Sequence, residues 1–455
     1  MVDGTAPHGG AHGVAAARRH GVETMFTLSG GHVFPLYDGA VKADPPMRIV
    51  DVRHEQTAVF AAEATARLSL SPGLAVLTAG PGVTNGISAI TTAHFNGSPL
   101  VVIAGRAPDY RWGSGSLQEI DHPVLLQAIT KRAWTEHETG RVGPATDEAF
   151  RIATTRHRGP VFLDASLEAL FGTAPVGPSQ PAGVDAELGQ QTGADAATGR
   201  PDQPDPAAID RIAGLLVRAH RPVLVLGSDV WLDGAHEAAR GAAEELGLPV
   251  IANGQGRGIL PAGHELLVSR ARSMALGEAD LVIVAGTPLD FRLGYGEYGG
   301  KNGTPPAQVV HVADAPSQVA RHRELTASAA GSLAAFFTQL AGAADAARGP
   351  GGAAWPWEAG GDSGWLPRLQ AASRQATAAD APLLASEAEP IHPMRIYGEL
   401  TRILDDDAVV IGDGGDFVSY AGKYIEPRRP GGWLDPGPYG CLGTGLGYAI
   451  AARIA

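Results

Sequence analysis

Short apolar runs alternate with longer, helix-like segments along most of this 455-residue chain. In its first part, apolar runs begin near Thr24, Ile49, Gly73, Pro99 and Gly159, and helical segments lie between them. Strands of parallel sheets read as continuous apolar runs, because crossover helices cover both faces of the sheet. The pattern therefore predicts a doubly wound α/β domain with a parallel sheet.

Two further blocks repeat this alternation, and stretches rich in Pro, Gly and Ala separate the blocks. The separating stretches are 173–205 and 343–390, and a short helix at 366–378 is predicted within the second. The predicted domains are 9–172, 206–342 and 391–455. The last of them has too few elements to close a parallel sheet.

Charge and cysteine content narrow the class of protein. The formal net charge is −13, and phosphate binding requires clustered positive charge, so a nucleic-acid partner is not expected. The single cysteine, Cys441, suits a reducing compartment. Since no apolar run reaches membrane-spanning length and the N-terminus lacks signal-peptide features, we predict a cytoplasmic protein that binds no membrane.

One carboxylate stands out in the first block. Glu55 follows the strand-like run 47–50 and precedes a long Ala-rich segment, so we expect it at the end of a buried strand. Loss of hydration disfavours an ionised carboxyl, which suits a group that passes a proton; an ordinary strand-end carboxylate is the alternative. The Gly/Pro-rich run 80–85 then opens a helix whose first backbone N–H groups are unpaired.

Ordered motifs in this block resemble those of thiamine-diphosphate enzymes in the acetohydroxyacid synthase and 2-hydroxyacyl-CoA lyase superfamily. The motifs are Phe-Thr-Leu-Ser-Gly-Gly-His at 26–32, Pro-Leu-Tyr-Asp at 35–38, His-Glu-Gln at 54–56, Ala-Gly-Pro-Gly-Val-Thr-Asn at 79–85 and Gly-Ser-Leu-Gln-Glu at 115–119. The resemblance covers essentially the whole chain. It implies doubly wound pyrimidine-binding and middle domains and part of a diphosphate-binding domain.

The resemblance also implies roles for individual residues. Glu55 would hydrogen-bond the aminopyrimidine of thiamine diphosphate and help that ring take up the thiazolium proton. The Gly440 carbonyl would accept the exocyclic amine, and Leu442, where many relatives have Met, would bend the cofactor. The full set of implied cofactor-binding residues is Gly30, Gly31, His32, Pro81, Asn85, Gln118, Gly414, Gly415, Asp416, Gly440 and Leu442.

The magnesium motif of the superfamily is Gly-Asp-Gly followed some two dozen residues later by Asn-Asn. The Gly-Asp-Gly at 412–414 does not satisfy it, because no Asn occurs after Asn302. The resemblance implies Mg²⁺, so its ligands are expected beyond Ala455, in a longer chain or a partner polypeptide.

The middle block favours one branch of the superfamily. Residues 256–261 and 271–276 resemble 2-hydroxyacyl-CoA lyases and oxalyl-CoA decarboxylases, and residues 287–292 replace a flavin-contacting segment, so FAD is doubtful. Guanidinium groups match phosphate geometry, and ADP or CoA in the middle domain is a further possibility. Candidate nucleotide or substrate residues are His94, Arg257, Arg272, Arg292 and Asp314; surface solubility explains the arginines equally well.

The leading functional prediction is a lyase or carboligase that interconverts a 2-hydroxyacyl-CoA with formyl-CoA and a carbonyl compound. Acetolactate-synthase-type condensation of 2-oxo acids is the alternative. A second alternative is a non-catalytic or split subunit that needs a partner for the magnesium–diphosphate site. The resemblance also implies a homodimer or homotetramer, in which Glu55 of one subunit meets the cofactor held by another.

Overall fold

The computed structural model describes residues 6–175, 203–349, 355–358 and 364–455. They form two compact units, one within Met1–Gln190 and Pro436–Ala455 and the other within Gln191–Asp435. No helix among these described residues has the length and apolar character that a membrane crossing requires.

The strands and helices alternate along the chain. The strands are β1 Thr24–Thr27, β2 Arg48–Asp51, β3 Gly73–Leu77, β4 Leu100–Arg106, β5 Ala133–Glu136, β6 Val161–Ser166, β7 Pro222–Leu226, β8 Val250–Ala252, β9 Leu281–Ala285, β10 Gln308–Ala313, β11 Ala327–Ala330, β12 Val410–Ile411 and β13 Trp433–Leu434. The helices are α1 Gly9–Arg19, α2 Phe34–Lys42, α3 Glu55–Ser69, α4 Pro81–Phe95, α5 His122–Leu126, α6 Val142–Thr154, α7 Leu167–Phe171, α8 Pro206–Arg218, α9 Ser228–Leu232, α10 His236–Glu245, α11 Arg272–Glu278, α12 Leu333–Arg348, α13 Trp365–Leu384, α14 Pro393–Ile403, α15 Gly415–Tyr424 and α16 Thr444–Ile454.

The first unit contains a parallel sheet in the order β2-β1-β3-β4-β6-β5. Strands β3, β4 and β6 are buried along their whole length, as helices on both faces require, whereas the edge strand β2 is exposed at both ends. The prediction of an α/β fold with a parallel sheet is confirmed here.

Helix α16 packs against α3 within the first unit. A Cβ at Gly447 would lie 2.6 Å from the Cβ of Phe60 and 3.0 Å from the Thr57 carbonyl oxygen, so only glycine allows this approach. The Tyr448 ring meets Phe60 edge to face, with 5.9 Å between ring centroids. The last twenty residues, Pro436–Ala455, therefore belong with the residues predicted to bind the pyrimidine.

The second unit has its own parallel sheet, in the order β11-β10-β9-β7-β8, and a separate pair, β12 and β13. Its core includes Trp355, Trp357 and Trp365, all at most 3% exposed. The prediction of parallel α/β architecture is confirmed here as well. A third doubly wound domain stays a prediction.

Candidate active site

The strand order places a crevice at the carboxyl ends of β1 and β3. Strand β2 pairs with one edge of β1, and β3, the next strand along the chain, pairs with the other edge of β1. Ligands bind open α/β sheets at such a reversal, in the crevice beyond the carboxyl ends of the strands. The segments after these two strands contain Gly30–His32 and Pro81, which are predicted cofactor-binding residues.

The expectation that Glu55 lies at the end of a buried strand is wrong. Glu55 is the first residue of α3, which begins four residues after the end of β2, an edge strand exposed at both ends. His54 caps the helix, its Nδ1 accepting a hydrogen bond from the Gln56 N–H at 3.2 Å. The Glu55 side chain is buried, and its Oε2 accepts a hydrogen bond from Asn85 Nδ2 at 3.0 Å. Two residues predicted from separate motifs thus form one pair, which holds a carboxyl group in a fixed orientation.

The turn before α4 depends on glycine. Gly80 has φ +57°, and a Cβ there would lie 2.8 Å from the Cβ of Gln118. Gln118 itself has φ +62°, a conformation that residues other than glycine adopt uncommonly. Pro81 begins α4, where a missing N–H costs no helical hydrogen bond. Gln118 therefore lies directly on the Gly80–Pro81 turn.

His32 lies in a short 3-10 helix, Gly31–Val33, after β1. Its Nδ1 is 3.2 Å from Thr78 Oγ1, at the end of β3, and Gly30 also lies against Thr78. Burial lowers the pKa of His32 below its ordinary value of 6.5. The ring is therefore neutral near pH 7, with one nitrogen able to donate and the other able to accept a hydrogen bond.

The turn at 440–443 lies beside the first turn of α3. Gln56 Nε2 donates a hydrogen bond to the Leu442 carbonyl at 3.3 Å. The Leu442 side chain is 63% exposed, and among the described residues no heavy atom outside Gly440 and its chain neighbours lies within 4 Å of the position where Gly440 would carry a Cβ. The structure thus brings Gly440 and Leu442 to the helix that carries Glu55.

Two buried polar groups in this unit were missed by the sequence reasoning. Glu63, fully buried on α3, accepts hydrogen bonds from Asn96, Ser98 and Tyr448, and burial raises its pKa. His122 and Asp164 are also fully buried and lie 2.8 Å apart. The sequence could have indicated Glu63, because Glu63 and Arg67 stand at i,i+4 spacing within an Ala-rich helix and can form an ion pair.

Other predicted site residues lie elsewhere. His94 is nine positions after Asn85 on α4, which places it about 13 Å further along the helix axis. Gly414 and Gly415 form the N-cap and first position of α15, in the second unit. The side chain of Asp416 lies outside the described residues.

The second unit brings the three predicted arginines together. Arg257, Arg272 and Arg292 line one cavity of about 400 Å³. Two of the three are paired, Arg257 with Glu426 at 3.2 Å and Arg292 with Asp290 at 2.7 Å. Asp314 is buried directly after β10.

Arg272 differs from the other two arginines in its partners. It donates to the Arg292 carbonyl at 2.6 Å, and no carboxylate of the described residues lies within ion-pair distance of it. Burial lowers its pKa. A cationic side chain that is partly buried without a carboxylate partner is suited to an anionic ligand.

Comparison with known proteins agrees with this geometry. Residues 8–125 match the thiamine pyrophosphate enzyme N-terminal TPP binding domain, and residues 209–340 match the central domain of the same family. An acetolactate synthase large subunit of Mycobacterium tuberculosis is 42% identical over 100% of this chain and 78% of the relative. The 2-hydroxyacyl-CoA lyase 2 of Caenorhabditis elegans is 34% identical and that of Homo sapiens 31% identical, each over 98% of this chain and 72% of the relative. The chain belongs to the thiamine pyrophosphate enzyme family.

Proposed function

We propose that this chain catalyses the cleavage or formation of a carbon–carbon bond with thiamine diphosphate. The observation that carries the proposal is the buried Glu55 carboxyl, held by Asn85 at the reversal point of a parallel sheet. Proteins bind ligands at such a point, and a buried, oriented carboxyl is the group that proton transfer to a heterocycle needs.

The residues around Glu55 fit the aminopyrimidine half of the cofactor. Glu55 offers a carboxyl to a ring nitrogen, and Gly440 offers a carbonyl in a turn where no other part of the described chain fills the space of a side chain. The exposed Leu442 offers an apolar surface next to it. Gly414 and Gly415, at the start of α15, are proposed to meet the diphosphate, because helix N-termini attract anions.

The proposed chemistry divides between cofactor and protein. When bound, thiamine diphosphate supplies the nucleophilic carbon that attacks the substrate carbonyl. Glu55 holds or returns a proton at the aminopyrimidine, and Asn85 keeps its Oε2 oriented. His32, neutral because of its lowered pKa, offers a donor or acceptor to the substrate. Gln118 covers the Gly80 turn and restricts the access of water.

For the substrate, we propose a 2-hydroxyacyl-CoA that is cleaved to formyl-CoA and a carbonyl compound. The arginine-lined cavity of the second unit supports this choice, because guanidinium groups bind the phosphates of CoA or ADP. Acetolactate-synthase-type condensation of 2-oxo acids is the second candidate, and the similarity to an acetolactate synthase at 42% identity favours it. FAD in the same cavity would accompany the second candidate.

A product assay separates the two candidates. The chain is incubated with thiamine diphosphate, Mg²⁺ and either a 2-hydroxyacyl-CoA or pyruvate, and formyl-CoA and acetolactate are measured. Formyl-CoA alone supports the lyase, and acetolactate alone supports the synthase. If neither forms until a second polypeptide is added, the chain is a subunit of a split enzyme.

The arginine cavity is tested separately by calorimetric titration with ADP, CoA and FAD. Arg272→Gln should weaken the binding of whichever ligand uses the cavity by about tenfold, the loss expected when a charged hydrogen-bond donor is removed. Arg240→Gln is the matched control, since Arg240 pairs with Glu237 on the surface of α10 and does not line the cavity. Equal binding by both variants would exclude the cavity as the site.

A further inference from the structure

We propose that His122 and Asp164 are a positioning pair, which fixes the Gly80–Pro81 turn and through it the orientation of Asn85 toward Glu55. Both side chains are fully buried. The inference deepens the proposed function, on which it rests for its catalytic meaning, but its structural content is tested without cofactor.

The geometry of His122 determines where its ring proton lies. The Gly80 N–H donates to His122 Nε2 at 2.9 Å, so Nε2 must carry a lone pair. Nδ1, 2.8 Å from Asp164 Oδ2, is then the protonated nitrogen and donates to the carboxylate. The hydrogen bond that one ring nitrogen makes sets the protonation of the other, so Asp164 holds His122 in the tautomer that accepts from Gly80.

The hydrogen bond to His122 satisfies a backbone group that the turn leaves without a helical partner. The Gly80 carbonyl accepts from the Val83 and Thr84 N–H groups at 3.1 and 3.0 Å, which begins α4. The Gly80 N–H has no such partner in the helix and is bound by the imidazole instead. His122 thus fixes the peptide plane at the residue where α4 starts.

The same loop holds Gly80 from a second side. Gln118 lies against Gly80, and four residues later the chain reaches His122. The turn is therefore clamped between these two residues. Asn85 is five residues after Gly80 on the helix that follows, so a shift of the turn would move its amide away from Glu55 Oε2.

The surroundings of Asp164 indicate that this pair is not explained by stability alone. Arg106 Nη1 lies 3.7 Å from Asp164 Oδ2, and its guanidinium stacks 3.5 Å from the ring centroid of Trp112. Asp164 Oδ1 makes no hydrogen bond to any described residue. A protein with a buried ionic group of this kind is commonly no more stable than one with apolar residues of the same volume in its place. What the pair provides here is a hydrogen-bond acceptor aimed at the Gly80 N–H.

Histidine-labelled NMR on the cofactor-free chain tests the tautomer. Among the fifteen histidines, the signal lost in His122→Gln identifies His122. We expect a protonated Nδ1 and an unprotonated Nε2, and Asp164→Asn should shift the ring toward the opposite tautomer. A ring protonated at Nε2 in the unsubstituted chain would overturn the inference, whatever the variants do.

Hydrogen exchange read by mass spectrometry tests the effect on the turn. His122→Leu should speed exchange in 79–86 by about tenfold, the change expected from the loss of one hydrogen bond, and leave 100–106 on β4 unchanged. His122→Gln, which retains an acceptor, should restore most of the protection. The matched control is His12→Leu, another buried histidine of this unit, which binds the Ala174 carbonyl and should leave 79–86 unaffected.

The outcomes separate this inference from the proposed function. Unchanged exchange in 79–86, or an equal rise in 79–86 and 100–106, would show that His122 does not position the turn. If His122→Leu fails to fold, the tautomer measurement decides. A chain that stays inactive even when any polypeptide needed to complete the magnesium site is supplied, but that shows the expected tautomer and exchange, would reject the proposed function and leave the positioning pair standing.

Discussion

At the scale of single residues, Glu55 is the group on which the proposed chemistry depends. Glu55→Gln keeps the side-chain volume and an oxygen that can accept from Asn85, but removes the exchangeable acid. In an assay that includes any polypeptide needed to complete the magnesium site, turnover should fall roughly a hundredfold or more, the usual contribution of a positioned acid or base, while thermal stability changes little. Steady-state kinetics and thermal unfolding measured on the same preparation check both parts. Unchanged turnover would remove Glu55 from the mechanism.

His32 allows us to predict how the stability of the first unit changes as the pH falls. Its pKa in the folded chain is below 6.5, so on acidification the unfolded chain takes up this proton before the folded chain does. The stability that His32 contributes is therefore present above pH 6.5 and is lost as the pH falls through the folded pKa. Between pH 7 and pH 5, His32→Gln should lose less thermal stability than the unsubstituted chain. Equal losses would contradict this.

Single residues also show what the sequence can and cannot predict. Glu55 and Asn85 were predicted because each lies in a local motif next to a strand end, which is a short-range signal. His122 and Asp164 were missed because they lie 42 positions apart and meet only when α5 folds against β6. Neither residue has a neighbouring pattern that distinguishes it from an ordinary surface His or Asp. Such pairs form only in the tertiary structure, so recognising them requires coordinates.

At the scale of elements, the contact between α3 and α16 depends on one buried hydroxyl. Tyr448 donates to Glu63 Oε2 at 2.9 Å and accepts from Arg67 Nη1 at 3.1 Å. Tyr448→Phe leaves both buried groups without this partner, so the first unit should lose about 1–3 kcal/mol. Tyr439→Phe is the control: its half-exposed ring stacks on Phe95 and remains after substitution. Denaturant unfolding of both variants measures the difference.

Element prediction succeeded where apolar runs are continuous and failed where they are not. Each predicted strand in the first unit lies within two residues of the observed one, because each of β3, β4 and β6 contains a continuous run of apolar residues. Strand β5 was missed because Ala-Trp-Thr-Glu is an edge strand, mostly half-buried. The helix predicted at 366–378 extends over Trp365–Leu384, since its Ala-rich composition favours helix and Pro382 comes only near its end.

At the scale of the whole molecule, the sequence predicted a partial third domain at 391–455, and the structure divides these residues between its two units. Residues up to Asp435 belong to the second unit, and Pro436–Ala455 belong to the first. The division follows from α16, whose small residues, such as Gly447, fit closely against α3. A stretch rich in Pro and Gly, 427–440, lies at this boundary but was not recognised as one. It does not show where the following residues pack, because the surface that holds them is presented by a helix almost four hundred residues earlier.

The contact between Gln56 and the 440–443 turn allows the oligomer prediction to be tested. The structure forms this contact within one chain. The family resemblance implies instead that it joins two chains. Both are geometrically possible, because two identical chains that exchange the segment carrying the 440–443 turn make the same contact with each other. Cys441 is the only cysteine, so Gln56→Cys adds a single second thiol next to it. We expect a short bismaleimide to join Cys441 of one chain to position 56 of another, giving a product of twice the chain mass.

The position of the second thiol provides the control for this experiment. Ser69→Cys places it at the exposed far end of α3, about 20 Å along the helix axis from position 56, beyond the reach of a short linker. This variant should show no more cross-linked dimer than the unsubstituted chain, in which only two Cys441 residues can be joined. If Gln56→Cys consumes both thiols and the product keeps the mass of one chain, the contact is internal, and each chain builds its own pyrimidine site. Dimerisation would then have to be explained by another surface.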